Sequence, residues 1–247
     1  MEDKRTILFD LDGTLLPIDM EKFIEKYFKL LSAHFADLYN PEYFIDSVNR
    51  ATGSMIENDG EKTNQEVFTE EFFNLIDLDG LKREVIWDRF YDFYDNVFPT
   101  LKDFFNLDNL GYQMVEAAKD KEFNLIIATN PLFPRNAITA RLKWINLDPA
   151  DFDYITSYEE MHYCKPNINY YREILDKINH VPQSCVMVGN DMRDDMVAQK
   201  LGIKTFLIED FLVKREGINV KPNWQGSRRE LIDYIKKLEV NKDEKYY

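Results

Sequence analysis

The sequence has few cysteines, no long apolar run and no surplus of positive charge. Only Cys164 and Cys185 occur among 247 residues, and they form no Cys-x-x-Cys pair. They cannot build a disulfide framework, and a reducing compartment is the natural reading. No apolar run approaches the ~20 residues of a membrane helix, so a membrane partner is not expected. The stretch from Met1 to Asp10 carries too short an apolar run for a signal-peptide core and no small-residue cleavage site. The expected location is the cytoplasm. Lys and Arg total 31 against 45 Asp and Glu, a formal net charge of −14. Such a chain lacks the basic surplus that displaces counterions from a nucleic-acid backbone, which excludes sequence-independent DNA or RNA binding. The same charge is awkward for anything that handles an anionic substrate.

What is present is a globular composition, 45% hydrophobic and 31% charged, at a length that suggests roughly one to two domains. Four short apolar runs stand out: Thr6–Phe9, Leu125–Ala128, Cys185–Val188 and Thr205–Ile208, with a weaker fifth at Tyr154–Thr156. They do not alternate apolar with polar, so they read as strands buried on both faces of a parallel sheet. Helical periodicity covers 109–121, 134–145, 167–179, 194–201 and 227–238, with Asn167 and Ser227 as caps and Gly202 as a stop. Strands alternating with helices predict an α/β fold. Residues 18–98 differ. Four helices, at 21–38, 41–51, 64–78 and 81–97, are expected there with no convincing strand. Their aromatic stripes (Phe23, Tyr27, Phe28; Phe72, Phe73; Phe90, Tyr91, Phe93, Tyr94) read as helix-bundle core. The expected organisation is a core of residues 1–17 and 99–247 interrupted by a helical insertion at 18–98. The charged tail from Glu239 to Tyr247 is expected to fray.

Ligands of open α/β sheets bind beyond the carboxyl ends of the strands. The residues there are Asp10 and Asp12 after the first run, Thr129 and Asn130 after the second, and Asn190, Asp191, Asp194 and Asp195 after the third, with Lys165 between. Asp10, Asp12 and Asp191 would make a hard, oxygen-only cluster of the kind that selects Mg²⁺. One carboxylate can attack phosphorus and form an aspartyl-phosphate. A second can protonate the leaving oxygen and later activate water. Thr129 and Asn130 can hydrogen-bond phosphoryl oxygens, and Lys165 can restrain Asp10 and offset developing negative charge. Mg²⁺ and Lys165 together would make an acidic pocket receptive to phosphate.

These motifs resemble those of the haloacid dehalogenase superfamily: Asp10-Leu11-Asp12-Gly13-Thr14, Thr129-Asn130, Lys165-Pro166 and the acidic segment from Gly189 to Asp195. The resemblance implies a Rossmann-like core with a helical cap inserted after the first motif. It also implies Asp10 as nucleophile and Asp12 as general acid and base. Mg²⁺ would be held by Asp10, the backbone carbonyl of Asp12 and an acid of the fourth motif. The fourth motif departs from the family pattern by carrying Asn190 directly after Gly189. Counting back from Gly202 favours Asp194 as its later acid, and counting from Asp191 favours Asp195. Asp191 is the expected direct metal ligand, with Asn190, Asp194 and Asp195 as outer or alternative ligands. The expected activity is Mg²⁺-dependent hydrolysis of a small phosphorylated metabolite. The alternatives are a sugar phosphomutase, which shares both aspartates, and a binding protein on the same fold.

Overall fold

The computed structural model of the chain describes residues 5–215, 217–218 and 220–238. The charged tail therefore lies outside the described residues. The sheet runs β1 (Thr6–Phe9), β2 (Asn124–Ile127), β3 (Tyr154–Ile155), β4 (Cys185–Gly189), β5 (Lys204–Ile208) and β6 (Trp224–Gly226). Its spatial order is β3-β2-β1-β4-β5-β6, and every neighbouring pair is parallel. The first strand is thus central, between β2 and β4, at the point where the order reverses. That is where an open α/β sheet leaves a crevice.

Successive residues of β1 face opposite sides of the sheet. Ile7 and Phe9 join a core shared with α5 (Leu110–Lys119), α6 (Arg135–Trp144) and α8 (Arg228–Lys237). Leu8 joins a second core with Tyr170, Tyr171 and Ile174 of α7 (Ile168–Ile178). Both faces being covered explains why the strands read as continuous apolar runs. Asn167 caps α7 by accepting from the Asn169 N–H, and Ser227 caps α8 in a capping box with Glu230. Between β1 and β2 the described residues form no strand. They form α1 (Met20–His34), α2 (Pro41–Ile56), α3 (Asn64–Leu75) and α4 (Arg83–Asp92), followed by a π-helical turn over Phe93–Val97 and a 3-10 stretch over Phe98–Phe104. Their interior is aromatic, with Phe35 stacked on Phe44 at 4.4 Å and Phe90 edge-on to Phe72 at 5.4 Å.

Three elements differ from the sequence expectation. The helix expected at 81–97 gives up α-helical pairing after Asp92. The helix expected at 194–201 is a 3-10 helix over Met196–Leu201, and Asp194 and Asp195 stand ahead of it in a turn where the Asp195 side chain accepts from the Asp191 N–H. The edge strand β6 has no apolar run, so the pattern that marks buried strands does not mark it.

Close approach governs one glycine. A Cβ at Gly111, near the start of α5, would lie 2.1 Å from the Leu15 carbonyl oxygen. The obstacle is backbone, so it cannot swing aside. Gly111→Ala is expected to destabilise by about 1–3 kcal/mol, outweighing the ~1 kcal/mol that alanine gains as a helix former. A lower urea midpoint at unchanged slope is the readout.

Candidate active site

Asp10 follows β1 directly, and its N–H donates to the Val188 carbonyl at 2.9 Å, extending the ladder to β4. On the other side the Ala128 N–H donates to the Phe9 carbonyl at 2.7 Å. The ends of β1, β2 and β4 therefore meet at one place. The chain then turns tightly: Leu16 donates to the Leu11 carbonyl and Gly13 to the Leu16 carbonyl. Gly13 sits at φ +81°, and a Cβ there would strike the Asn190 amide at 2.3 Å. Only glycine serves that position.

Lys165 is the hub. Its ammonium donates to Asp10 Oδ1 at 2.9 Å and to Asp195 Oδ1 at 2.7 Å, and all three side chains are buried. Burial alone would push the Lys165 ammonium down, but Asp10 and Asp195 outweigh it and hold it well above its ordinary range. Burial raises the Asp195 carboxyl to about 7 against the pull of Lys165. Asp10 Oδ2 accepts from the Thr14 hydroxyl at 3.1 Å. The Thr14 hydroxyl also lies 3.1 Å from Asn190 Oδ1, and the Asn190 amide donates to the Phe211 carbonyl at 2.7 Å. An aspartate at 190 could not make that donation, so the amide ties β4 to the loop after β5.

The structure brings Asp10, Lys165 and Asp195 into direct contact and sets Asp191 beside them, its N–H donating to Asp195 Oδ2 at 2.9 Å. Asp191 Oδ1 accepts from the Arg193 and Asp194 N–H groups, and Oδ2 from Arg215 at 2.8 Å. Asp194 turns away and pairs with Arg193 at 2.6 Å. Asn130 Oδ1 accepts from the Lys165 N–H at 3.1 Å. The Thr129 carbonyl accepts from Tyr170 and Thr156 hydroxyls, which anchors the residue without using its own hydroxyl. Cys164, next to Lys165, is a packing residue between the Met55 carbonyl and Asn64, and burial pushes its thiol up to about 12.

Asp12 is held by Arg141, a fully buried residue of α6 that the sequence reading passed over. Burial raises the Asp12 carboxyl above its ordinary range against the pull of this guanidinium. One signal could have found Arg141. It falls on the apolar face of α6 with Ala137, Ile138 and Leu142, where a charge is out of pattern. Arg215 comes from the loop beyond β5, which no motif marks.

Four carboxylates (Asp10, Asp12, Asp191, Asp195) thus face three cations (Lys165, Arg141, Arg215). This local balance removes most of the conflict between a −14 chain and an anionic ligand. Among the described residues no three His, Cys, Asp or Glu side chains surround one point. The donors at the junction are nonetheless all oxygens, and Mg²⁺ ordinarily takes one or two carboxylates with waters and substrate phosphate. Asp10 and Asp191 are ligands of that chemical class, with both Asp191 oxygens engaged here by Arg215 and the Arg193 and Asp194 N–H groups.

At the seam between the helical block and the sheet domain lies a cleft of about 490 Å³. Its walls include Trp87, Tyr91 and Tyr94 on one side and Arg135, Asn136 and Tyr158 on the other. Part of the aromatic set expected as bundle core therefore lines this cleft, while Phe23, Phe72, Phe73 and Phe93 are buried.

A profile of the haloacid dehalogenase-like hydrolase family matches residues 7–208. The chain belongs to this family. Like its relatives, this haloacid dehalogenase-like hydrolase is an enzyme. It is 27% identical over 203 residues to a pyrophosphatase PpaX from Anoxybacillus flavithermus, covering 81% of each chain. It is 26% identical over 205 residues to a phosphoglycolate phosphatase from Aquifex aeolicus, covering 82% of this chain and 84% of that one. A crystal structure of a haloacid dehalogenase-type phosphatase from Thermococcus onnurineus shares the fold at a TM-score of 0.58 and 18% identity, covering 94% of this chain and 97% of the other. Among the described residues no helix is long and apolar enough to cross a membrane.

Proposed function

We propose that this haloacid dehalogenase-like hydrolase is a Mg²⁺-dependent phosphatase that hydrolyses a small phosphorylated metabolite through an aspartyl-phosphate. The observation that carries this reading is the Asp10 carboxylate at the central strand end, held by Lys165 on one oxygen and Thr14 on the other. The relatives named as a pyrophosphatase and a phosphoglycolate phosphatase support phosphorus as the electrophile.

In this mechanism Asp10 attacks phosphorus while the leaving oxygen takes a proton from Asp12. Water then gives a proton to Asp12, attacks the aspartyl-phosphate and returns Asp10 as carboxylate. Lys165 holds Asp10 aimed through its hydrogen bond to Oδ1, and its fixed charge offsets that of the phosphoryl group. Thr129 and Asn130 stand at the end of β2 to receive phosphoryl oxygens. Bound Mg²⁺ would supply charge neutralisation at the phosphoryl oxygens. Asp10, Asp191 and the Asp12 carbonyl would hold it, with Asp195 keeping Asp191 and Lys165 in place.

Phosphate release from a panel of phosphorylated sugars, nucleotides and organic acids, with Mg²⁺ and with chelator, tests the reading. Absence of turnover across the panel in Mg²⁺ would overturn it. The ligand assignment has its own test. Outer-shell changes at metal sites typically cost 10–100-fold in affinity or activity, so Asp191→Asn should raise the Mg²⁺ needed for half-maximal rate at least about tenfold. An unchanged Mg²⁺ requirement would remove Asp191 from the ligand set.

A further inference from the structure

Arg141 is a charge in an apolar place. Its side chain is fully buried on α6, with the guanidinium carbon 4.7 Å from the centre of the Phe133 ring and 5.7 Å from that of Phe23. Nη1 donates to Asp12 Oδ2, Nε donates to the Ala137 carbonyl at 3.3 Å, and Nη2 has no partner. The pair is a poor device for stability, because replacing a buried ion pair by apolar side chains of similar volume is often neutral or favourable. What the pair does is asymmetric. It occupies Oδ2 of Asp12 and leaves Oδ1 buried with no hydrogen-bond partner. Unclamped, a carboxyl group turns about its terminal bond, a broad torsion with nearly equivalent orientations.

We infer that Arg141 is the positioning residue of the acid–base step: by clamping Oδ2 it makes Oδ1 of Asp12 the oxygen that gives up and takes back the proton. The inference rests on the phosphatase reading above. In the first step the Asp12 Oδ1–H proton passes to the ester oxygen as that oxygen keeps the electron pair of its broken P–O bond, while Asp10 forms the new P–O bond. In the second step a water proton returns to Oδ1 as the water oxygen bonds to phosphorus and the Asp10–P bond opens. Arg141 touches neither phosphorus nor the leaving oxygen and acts through Asp12. The arrangement demands precision, since a misplacement of about 1 Å can cost roughly 100-fold in rate.

The test separates positioning from folding by changing the leaving group. An alkoxide needs a proton to depart, whereas 2,4-dinitrophenolate does not. Arg141→Met and Arg141→Lys are compared with Asp12→Asn on an alkyl phosphate and on 2,4-dinitrophenyl phosphate, in Mg²⁺. General acid–base assistance is worth about 10²–10⁴-fold, so Arg141→Met should lose roughly 100-fold more kcat on the alkyl ester than on the activated one. Asp12→Asn should show the same skew, and the double variant should add none. Equal loss on both esters, or no loss, overturns the inference. If Arg141→Met does not fold, Arg141→Lys carries the test: a smaller skew in the same direction supports the clamp, and an unskewed loss or none overturns it. Asp10→Asn separates the two levels. Turnover surviving in that variant sinks the phosphatase mechanism itself. An inactive Asp10→Asn beside unskewed Arg141 variants sinks only the clamp.

Discussion

Asp10→Asn should abolish turnover and leave the protein as stable as before, or slightly more so. The amide is nearly isosteric with the carboxylate, and its oxygen can still accept from Lys165, now 2.9 Å from Oδ1. The amide nitrogen can donate to the Thr14 hydroxyl, which reverses the present bond rather than losing it. What disappears is the nucleophile and one negative charge. Removing a catalytic nucleophile costs as much as ~10⁶-fold where the residues act as a unit, so a fall in kcat of roughly 10⁴-fold or more is expected. The charge change works in favour of folding. Lys165 now serves two buried carboxylates, and the variant leaves it a single partner in Asp195. Initial rates of phosphate release and a thermal melt on the same preparation provide the comparison. A variant that melts normally and keeps more than a trace of activity would remove Asp10 from the nucleophile role.

Lys165→Met should be the most destabilising single change in the site. Taking one partner from a buried charge cluster leaves the others unpaired and typically costs about 3–5 kcal/mol. Here the orphans are Asp10 and Asp195, both buried and both now satisfied by the same ammonium. The loss should depend on pH in a defined direction. Burial already raises Asp195 to about 7 in the intact site, and without Lys165 it rises further. A carboxyl whose folded pKa lies above its unfolded value binds more protons in the native state, so stability falls as pH rises through the folded pKa. Between about pH 4, the unfolded carboxyl range, and about pH 7 the native Asp195 holds its proton in both proteins, so the variant's deficit should be steady there and grow as pH rises above about 7, where only the variant keeps that proton. Urea unfolding in chelator on both sides of that point measures it, and Asp195→Asn in the Lys165→Met background should recover much of the loss. A deficit that stays constant with pH would mean that Lys165 contributes by packing rather than by charge.

Much of the fold is legible in the chain because it is local. Ile7–Phe9 and Cys185–Val188 are apolar at every position since both sheet faces are covered, and a run of that kind needs no distant information to be seen. The caps at Asn167 and Ser227 use donors within three residues. Edge strand β6 was illegible for the same reason in reverse: Trp224-Gln225-Gly226 has one neighbouring strand, so no buried run marks it. At the site, the residue types that do phosphoryl chemistry stand at strand ends, where order along the chain exposes them. Their pairings do not. Counting left Asp194 and Asp195 equivalent, and the turn after β4 divides them, Asp195 onto Lys165 and Asp194 onto Arg193.

The sequence by itself determined the parallel α/β sheet, the helical block after β1, and the set of acids, hydroxyl, amide and lysine at the strand ends. Only the tertiary structure decided which charge answers which. Asp10 and Lys165 are 155 residues apart, and Asp12 and Arg141 are 129 apart. Such partners are chosen by strand order and by which helix face turns inward. Those are properties of the packed molecule, since a charge on an apolar helix stripe is visible as an exception in sequence but acquires a partner only when the stripe is buried.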